Sequence, residues 1–432
     1  MRPNLVFVAV VVGFLLAACG GPPPEPEPGL YAFVGATVID GTGNPPIEDA
    51  VVIVRDGLIE GVGTREALPF PLTANPVDVS GKTIIPGLIN AHGHVGQTKG
   101  LESGPEIYTK ENVLSQLQLY ARYGVTTVVS LGGDGPEAIE LRDAQDTKDL
   151  DRARIYVAGP VVEGRTPDAV TKVVDDNAAM KVNWIKIRVD DNLGSGRKMP
   201  PNVYEAVIQR AHRKGIRVAA HLYYLEDAKG LLDKEVDFIV HSVRDKEVDQ
   251  ELIDTLISKE VCLCPTLTRE VSTFVYEGVP EFFTDPFFQK EADPGVIEQL
   301  KDPARQKTVQ ESKSAQQYKK ALEMASINLK KLADNGVTIA FGTDSGPPAR
   351  FQGYFEHMEL ELMVKSGLTP MQAIMSATGQ AAECLNLYQV GTLTQGKWAD
   401  MIVLNADPLT DINNTKSVDS VYIAGNKVPA AN

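Results

Sequence analysis

The sequence predicts an α/β protein: a (β/α)8 barrel of the TIM type, with a small β-sandwich domain formed by both ends of the chain. Two patterns and one constellation predict it. Short β-rich runs broken by turn residues fill 30–82 and return within 385–432. Between them, from 83 to 384, strand-like apolar runs alternate with amphipathic helical stretches, the order of a β/α barrel. Histidines, a lysine and an aspartate end several of those runs, where such a barrel gathers its chemistry. A chain of 432 residues has room for this core and a smaller domain beside it.

The chain begins with Arg2 and an apolar run over 5–16, the shape of a secretory signal and too short for a comfortable membrane span. It ends Leu16-Ala17-Ala18-Cys19, which resembles a bacterial lipoprotein processing box. That resemblance implies removal of 1–18, a lipid on Cys19 and acyl chains as the membrane anchor. Gly20 in place of an acidic residue then points to the outer rather than the inner membrane, with the protein exported and facing the periplasm. Residues 19–29, Cys-Gly-Gly-Pro-Pro-Pro-Glu-Pro-Glu-Pro-Gly, read as a stiff extended tether that does not pack.

The β-rich N-terminal part shows hairpin signals at Asp40-Gly41 and Asp56-Gly57, and Ala424-Gly425-Asn426 repeats the pattern near the other end. A formal charge of −15 argues against a nucleic-acid partner, which needs clustered Lys and Arg. Four cysteines are too few and too scattered for a disulfide framework. Cys262, Cys264 and Cys384 read as buried small hydrophobes.

In the middle the strand candidates are 83–90, 125–131, 155–158, 184–188, 218–222, 238–240, 261–265 and 338–342. Helical stretches lie between them, among them 112–123, 201–214 and the long charged 303–335. The first candidate runs Ile-Ile-Pro-Gly-Leu-Ile-Asn-Ala into His92-Gly93-His94. Residues two apart share a strand face, so the two imidazoles converge, and Gly93 lets the backbone bend between them. Such a pair begins a site for zinc or a similar divalent metal. The fourth candidate sets Lys186 among large apolar neighbours, the fifth ends at His221, the sixth at His241 and the eighth at Asp344. The longest interval, before the eighth, carries a Phe- and Pro-rich stretch at 274–286 expected to form a lid.

In the order His92-x-His94, Lys186, His221, His241, Asp344, the chain resembles the two-metal amidohydrolase superfamily strand by strand. Ile84-Ile85-Pro86-Gly87 and the run from Gly391 to Asp400 belong to the same likeness, which spans 31–428 and is nearest in feel to prolidase-like and imidazolonepropionase-like members. The resemblance implies two divalent metal ions, zinc first among the candidates. His92, His94 and Asp344 would hold one, His221 and His241 the other, and a carboxylated Lys186 would bridge them. A hydroxide shared by the ions would attack an amide-like carbonyl, with Asp344 as general base and then acid.

Deaminases of this superfamily carry a glutamate three residues after the strand-five histidine. Here Leu222, Tyr223 and Tyr224 follow His221, and Glu226 comes only at the fifth place. This favours a two-metal hydrolase over a mononuclear deaminase or cyclic-amide hydrolase. Arg188, two residues past Lys186, is a candidate fork for a substrate carboxylate, and Tyr223 a candidate donor to a carbonyl or oxyanion. Arg350, Arg269 and His357 are weaker candidates, His357 reading mainly as packing. The expectation is an exported enzyme cleaving a C–N bond in a small molecule such as an N-acyl amino acid or dipeptide. A non-catalytic binding module is the alternative of another class, and a homo-oligomer is compatible with either.

Overall fold

The computed structural model describes residues 25–431. Cys19 and the signal-like 1–18 lie outside the described residues. Among those described, no helix is long and apolar enough to cross a membrane. The end of the expected tether is packed: Glu27 N–H donates to Thr73 O at 2.7 Å, and Asn75 Nδ2 donates to Glu27 O. Its last residues are thus already part of the sheet's edge.

The ends of the chain build one eight-stranded sheet. Leu30–Val38 pairs antiparallel with Ile47–Arg55, which pairs with Leu58–Thr64 across a two-residue turn. Asp56 (φ 49°) and Gly57 (φ 86°) supply the two left-handed residues that turn requires. The C-terminal strands Met401–Leu404 and Val418–Ile423 join through Thr83–Pro86, antiparallel to Met401–Leu404. The sheet curls until Leu58 bridges Trp398, so both limbs share a core that includes Phe33, Val52, Ile84, Met401 and Tyr422.

The apolar run 83–90, expected as one strand, is two. Thr83–Pro86 belongs to the small sheet and Leu88–Gly93 opens the barrel. The break falls at Pro86-Gly87, where the backbone passes so close to Thr126 that a Cβ on Gly87 would lie 2.1 Å from its Oγ1. Leu88–Gly93, Val125–Ser130 and Arg154–Val157 then run parallel, as do Trp184–Arg188, Arg217–His221, Phe238–Val240 and Cys262–Cys264. Parallel bridges Val162↔Ile187, Leu263↔Ile339 and Gly93↔Ser345 complete the ring, with 338–342 as the eighth member. Alternation sorts the side chains: Ile89, Val129, Trp184 and Phe238 pack in one cluster, while Leu88, Val128, Ile185 and Leu263 pack outward with the helices.

The first cluster also contains Ala381, Ala382 and Leu385, so the Gly379–Leu385 helix packs with the barrel interior. There Cys384 forms a disulfide with Cys262, correcting the expectation that both are merely small hydrophobes. Cysteines 122 residues apart carry no spacing signal; the pairing arises from tertiary contact alone. Cys264 stays free and buried.

Two further stretches differ from expectation. The 303–335 segment is two helices, Pro303–Glu311 and Lys313–Asp334, because the Ser312 hydroxyl caps the second. Residues 274–286 form short turns whose Tyr276, Phe282 and Phe283 pack with Phe288, Tyr354 and Phe355. This stretch is an aromatic core beside the barrel, not a free lid, and meets the eighth-strand loop where Tyr276 OH donates to Ala349 O.

Candidate metal centre and active site

Strand alternation turns Lys186 inward between the outward Ile185 and Ile187, and the ends of strands one, five, six and eight bring the remaining groups to it. His92, His94 and Asp344 each offer a ligand atom within 4.8 Å of the others. Asp344 Oδ1 lies 2.9 Å from His94 Nε2 and 3.6 Å from His92 Nε2, and Lys186 Nζ lies 3.1 Å from His92 Nε2. The His221 and His241 rings sit 4.2 Å apart, and His241 lies 4.8 Å from His92. All six predicted ligands therefore converge on one place.

Their outer contacts leave definite nitrogens for a metal. Asp190 Oδ2 holds His221 Nε2 at 3.1 Å, leaving Nδ1. Thr266 Oγ1 holds His241 Nδ1 at 2.6 Å, leaving Nε2 buried and without a partner. An orphaned imidazole nitrogen facing another imidazole is what a closed shell of protein contacts lacks and a divalent ion supplies. The donor set of imidazole, carboxylate and amine-derived oxygen suits zinc-like ions. The residues present fit the group.

Electrostatics follow from burial. Desolvation pushes the His221 imidazole down to about 3 and holds His92 and His241 well below the usual range, so all three imidazoles are neutral. Desolvation also drives Lys186, 4% exposed, down to about 7. Burial alone would raise Asp344, but the Arg350 guanidinium and the His94 hydrogen bond outweigh it and hold the carboxyl well below its usual range. Three non-glycine residues here have left-handed backbone: His241 (φ 75°), Thr266 (φ 49°) and Asp344 (φ 58°). Left-handed non-glycine backbone at successive strand ends is the kind of local strain that functional sites hold.

The substrate candidates fare differently. Arg188 is exposed and bonds Asp190 Oδ1 at 3.0 Å and Asn192 Oδ1 at 3.1 Å, so it lines a polar cleft at the rim. Tyr223 is buried, its ring under the Arg244 guanidinium at 4.7 Å and against Tyr318. Arg350 sits at the centre, its Nη1 bonded to Asp344 Oδ2. Arg269 pairs with Glu270 and Tyr318. His357 is buried between Tyr123 O and Thr415 Oγ1, a packing role. Glu226 is exposed and paired with Lys246, away from any base position.

Several site residues escaped the sequence reading. Asn90 Oδ1 accepts from His92 N–H, while its Nδ2 donates to Glu356 at 2.6 Å. Glu356 Oε1 also accepts from the Thr343 and Ser345 hydroxyls flanking Asp344. Glu359 Oε1 accepts from Leu267 N–H, and its Oε2 from Thr268, just past Thr266. Nothing local singles out these carboxylates on an ordinary helix; only spacing of three, two buried acids on one face, could have raised a flag.

Residues 83–428 match the amidohydrolase family. An imidazolonepropionase from Deinococcus radiodurans is 25% identical over 423 residues, covering 93% of this chain and 96% of that protein. Among solved structures, an Xaa-Pro dipeptidase with methionine bound in its active site superposes with TM-score 0.72 at 23% identity, covering 92% of this chain and 99% of that one. Phenylurea hydrolase B superposes with TM-score 0.73 at 22% identity, over 93% and 97% respectively. At these identities the two structures speak for the fold. Because the family match takes in the barrel, the converging ligands and the return to the small sheet, the chain belongs to the amidohydrolase family, an enzyme that hydrolyses carbon–nitrogen bonds.

Proposed function

We propose that the protein hydrolyses the amide or peptide-like C–N bond of a small molecule, an N-acyl amino acid or a dipeptide. His92, His94 and Asp344 would hold one divalent ion, and His221 and His241 a second. The observation that carries this reading is the convergence of six groups with His241 Nε2 left orphaned and Nδ1 of His221 left free. Lys186 would bridge as its carbamate: an N–C bond forms to carbon dioxide and the nitrogen loses a proton. Supporting this, Lys186 has a histidine and no carboxylate within hydrogen-bond reach, so a buried ammonium there would go unpaired. When bound, the ions would polarise the scissile carbonyl and acidify a water.

The chain's own part centres on Asp344. It would take the proton of the attacking water and deliver it to the leaving nitrogen. Arg350, on its second oxygen, favours the carboxylate, so the proton leaves readily once the nitrogen becomes basic. Export with a lipid on Cys19 and a periplasm-facing site is the location we infer. The Cys262–Cys384 disulfide supports it, since such bonds persist in oxidising compartments.

Metal analysis with a hydrolysis screen tests the reading. About two equivalents per chain, with activity lost on chelation and restored by zinc and bicarbonate, is the expected result. Asp344→Asn should lower kcat roughly 10²–10⁴-fold with the fold intact. A metal-free, inactive chain after that treatment would sink the proposal.

A further inference from the structure

A cavity of about 560 Å³ opens beside the cluster of candidate metal-holding side chains, walled by Gln97 and Thr98 after strand one, Gly133–Pro136 after strand two, Pro160 after strand three and Pro347-Pro348 after strand eight. All these loops leave the catalytic ends of their strands. Gln97 forms the shared wall: its Nε2 donates to Gly132 O and lies 3.5 Å from His94 Nδ1. The lining is mostly apolar, and its five prolines present ring carbon with no N–H to satisfy.

Gln97, Thr98, Ser103 and Glu137 add polar groups to the lining, and behind it stand two buried polar atoms without a partner in hydrogen-bonding geometry. Asp134, 2% exposed, uses Oδ2 to accept the Ala158 and Gly159 amides at 2.8 and 3.1 Å, while its Oδ1 is unpaired. The Tyr108 hydroxyl is likewise unpaired. The Ser130 hydroxyl and the Gly135 amide are the groups nearest to bonding these two, and a ligand would compete with them. A carboxylate and a phenol lining one largely apolar cavity, each with an unpaired oxygen, are complementary to an ammonium carried on an apolar group.

Building on the hydrolytic reading above, we propose that this cavity is the subsite for the amino-terminal residue of a dipeptide. Its side chain lies against the prolines and its free ammonium bonds Asp134 Oδ1 and the Tyr108 hydroxyl. The enzyme then prefers dipeptides with a free amino end to N-acyl amino acids and N-acylated dipeptides, which carry no ammonium at that position.

The test uses the full-length, metal-loaded protein with Leu-Pro and N-acetyl-Leu-Pro as probes. Affinity is read by calorimetry where a probe is not hydrolysed and by kcat/KM where it is. Leu-Pro is expected to be favoured about 10–100-fold. Asp134→Asn, whose amide oxygen can still receive the Ala158 and Gly159 amides, should erase the preference by weakening Leu-Pro alone, at an unchanged thermal midpoint. Tyr108→Phe should erase part of it. Equal treatment of the two probes, failure of both to bind, or a preference that survives Asp134→Asn overturns the inference; in the last case the orphaned atoms hold only water. A preference without turnover of either probe keeps the subsite and removes Xaa-Pro dipeptides from the hydrolytic reading. Turnover of the acetylated probe alone does the reverse.

Discussion

His357 and Glu359 lie two residues apart on the Tyr354–Lys365 helix, both fully buried, and burial moves them in opposite directions. The His357 imidazole is pushed down to about 4 and the Glu359 carboxyl up to about 7. A depressed histidine resists a proton that the unfolded chain accepts, so its contribution is full above about pH 6.5 and lost as pH falls towards 4. A raised carboxyl contributes fully below about pH 4.5 and loses that contribution as pH rises through 7. His357→Gln should therefore cost stability at pH 7, and that cost should shrink by roughly 2–3 kcal/mol by pH 4 in denaturant titrations. Residues of this kind mark the limit of sequence reading. His92, His94, Lys186, His221, His241 and Asp344 were legible because strand ends advertise them. Asp190 and Thr266 were not, because each acts through a histidine on another strand.

That same helix shows how one element can organise a site without touching substrate. Glu356 gathers Asn90, Thr343 and Ser345, and so ties strand one to strand eight; Glu359 captures the turn that follows Thr266. Glu356→Gln would point an amide donor at other donors. It is expected to lower stability by about 2 kcal/mol and to reduce retained metal, measured by unfolding and metal content together. Metal content equal to the unsubstituted protein would dismiss the link. At this scale alternation and turn residues located the strands, with one instructive failure. The run 83–90 is uniformly apolar, and periodicity cannot divide it; the division comes from how closely Gly87 must approach Thr126.

Across the whole molecule, the disulfide pins the Gly379–Leu385 helix to barrel strand seven. Its ring of 122 residues makes it worth on the order of 3–5 kcal/mol. Cys384→Ala should lower the thermal midpoint to that of the reduced protein yet leave kcat/KM unchanged, since Cys262 opens its strand and the ligands lie at the opposite strand ends. A parallel loss of activity would show that the two ends communicate. The architecture of barrel and terminal sheet was readable from the alternation of elements, whereas the disulfide depended on a contact no local pattern encodes.

The small sheet meets the barrel where strands begin: Gly87 donates to Asp400 O just before strand one, and Arg154, opening strand three, is buried against Asp400 at 2.9 Å. The residues that lead into the sheet from the N-terminal side, Glu27 onward, are fastened there too. The strand ends that carry the candidate ligands point the other way. If the protein is held by its N-terminal segment on a support, that face of the barrel is expected to turn to the bulk solution. Immobilisation through that end should thus leave diffusion of small substrates as free as it is for the protein in solution.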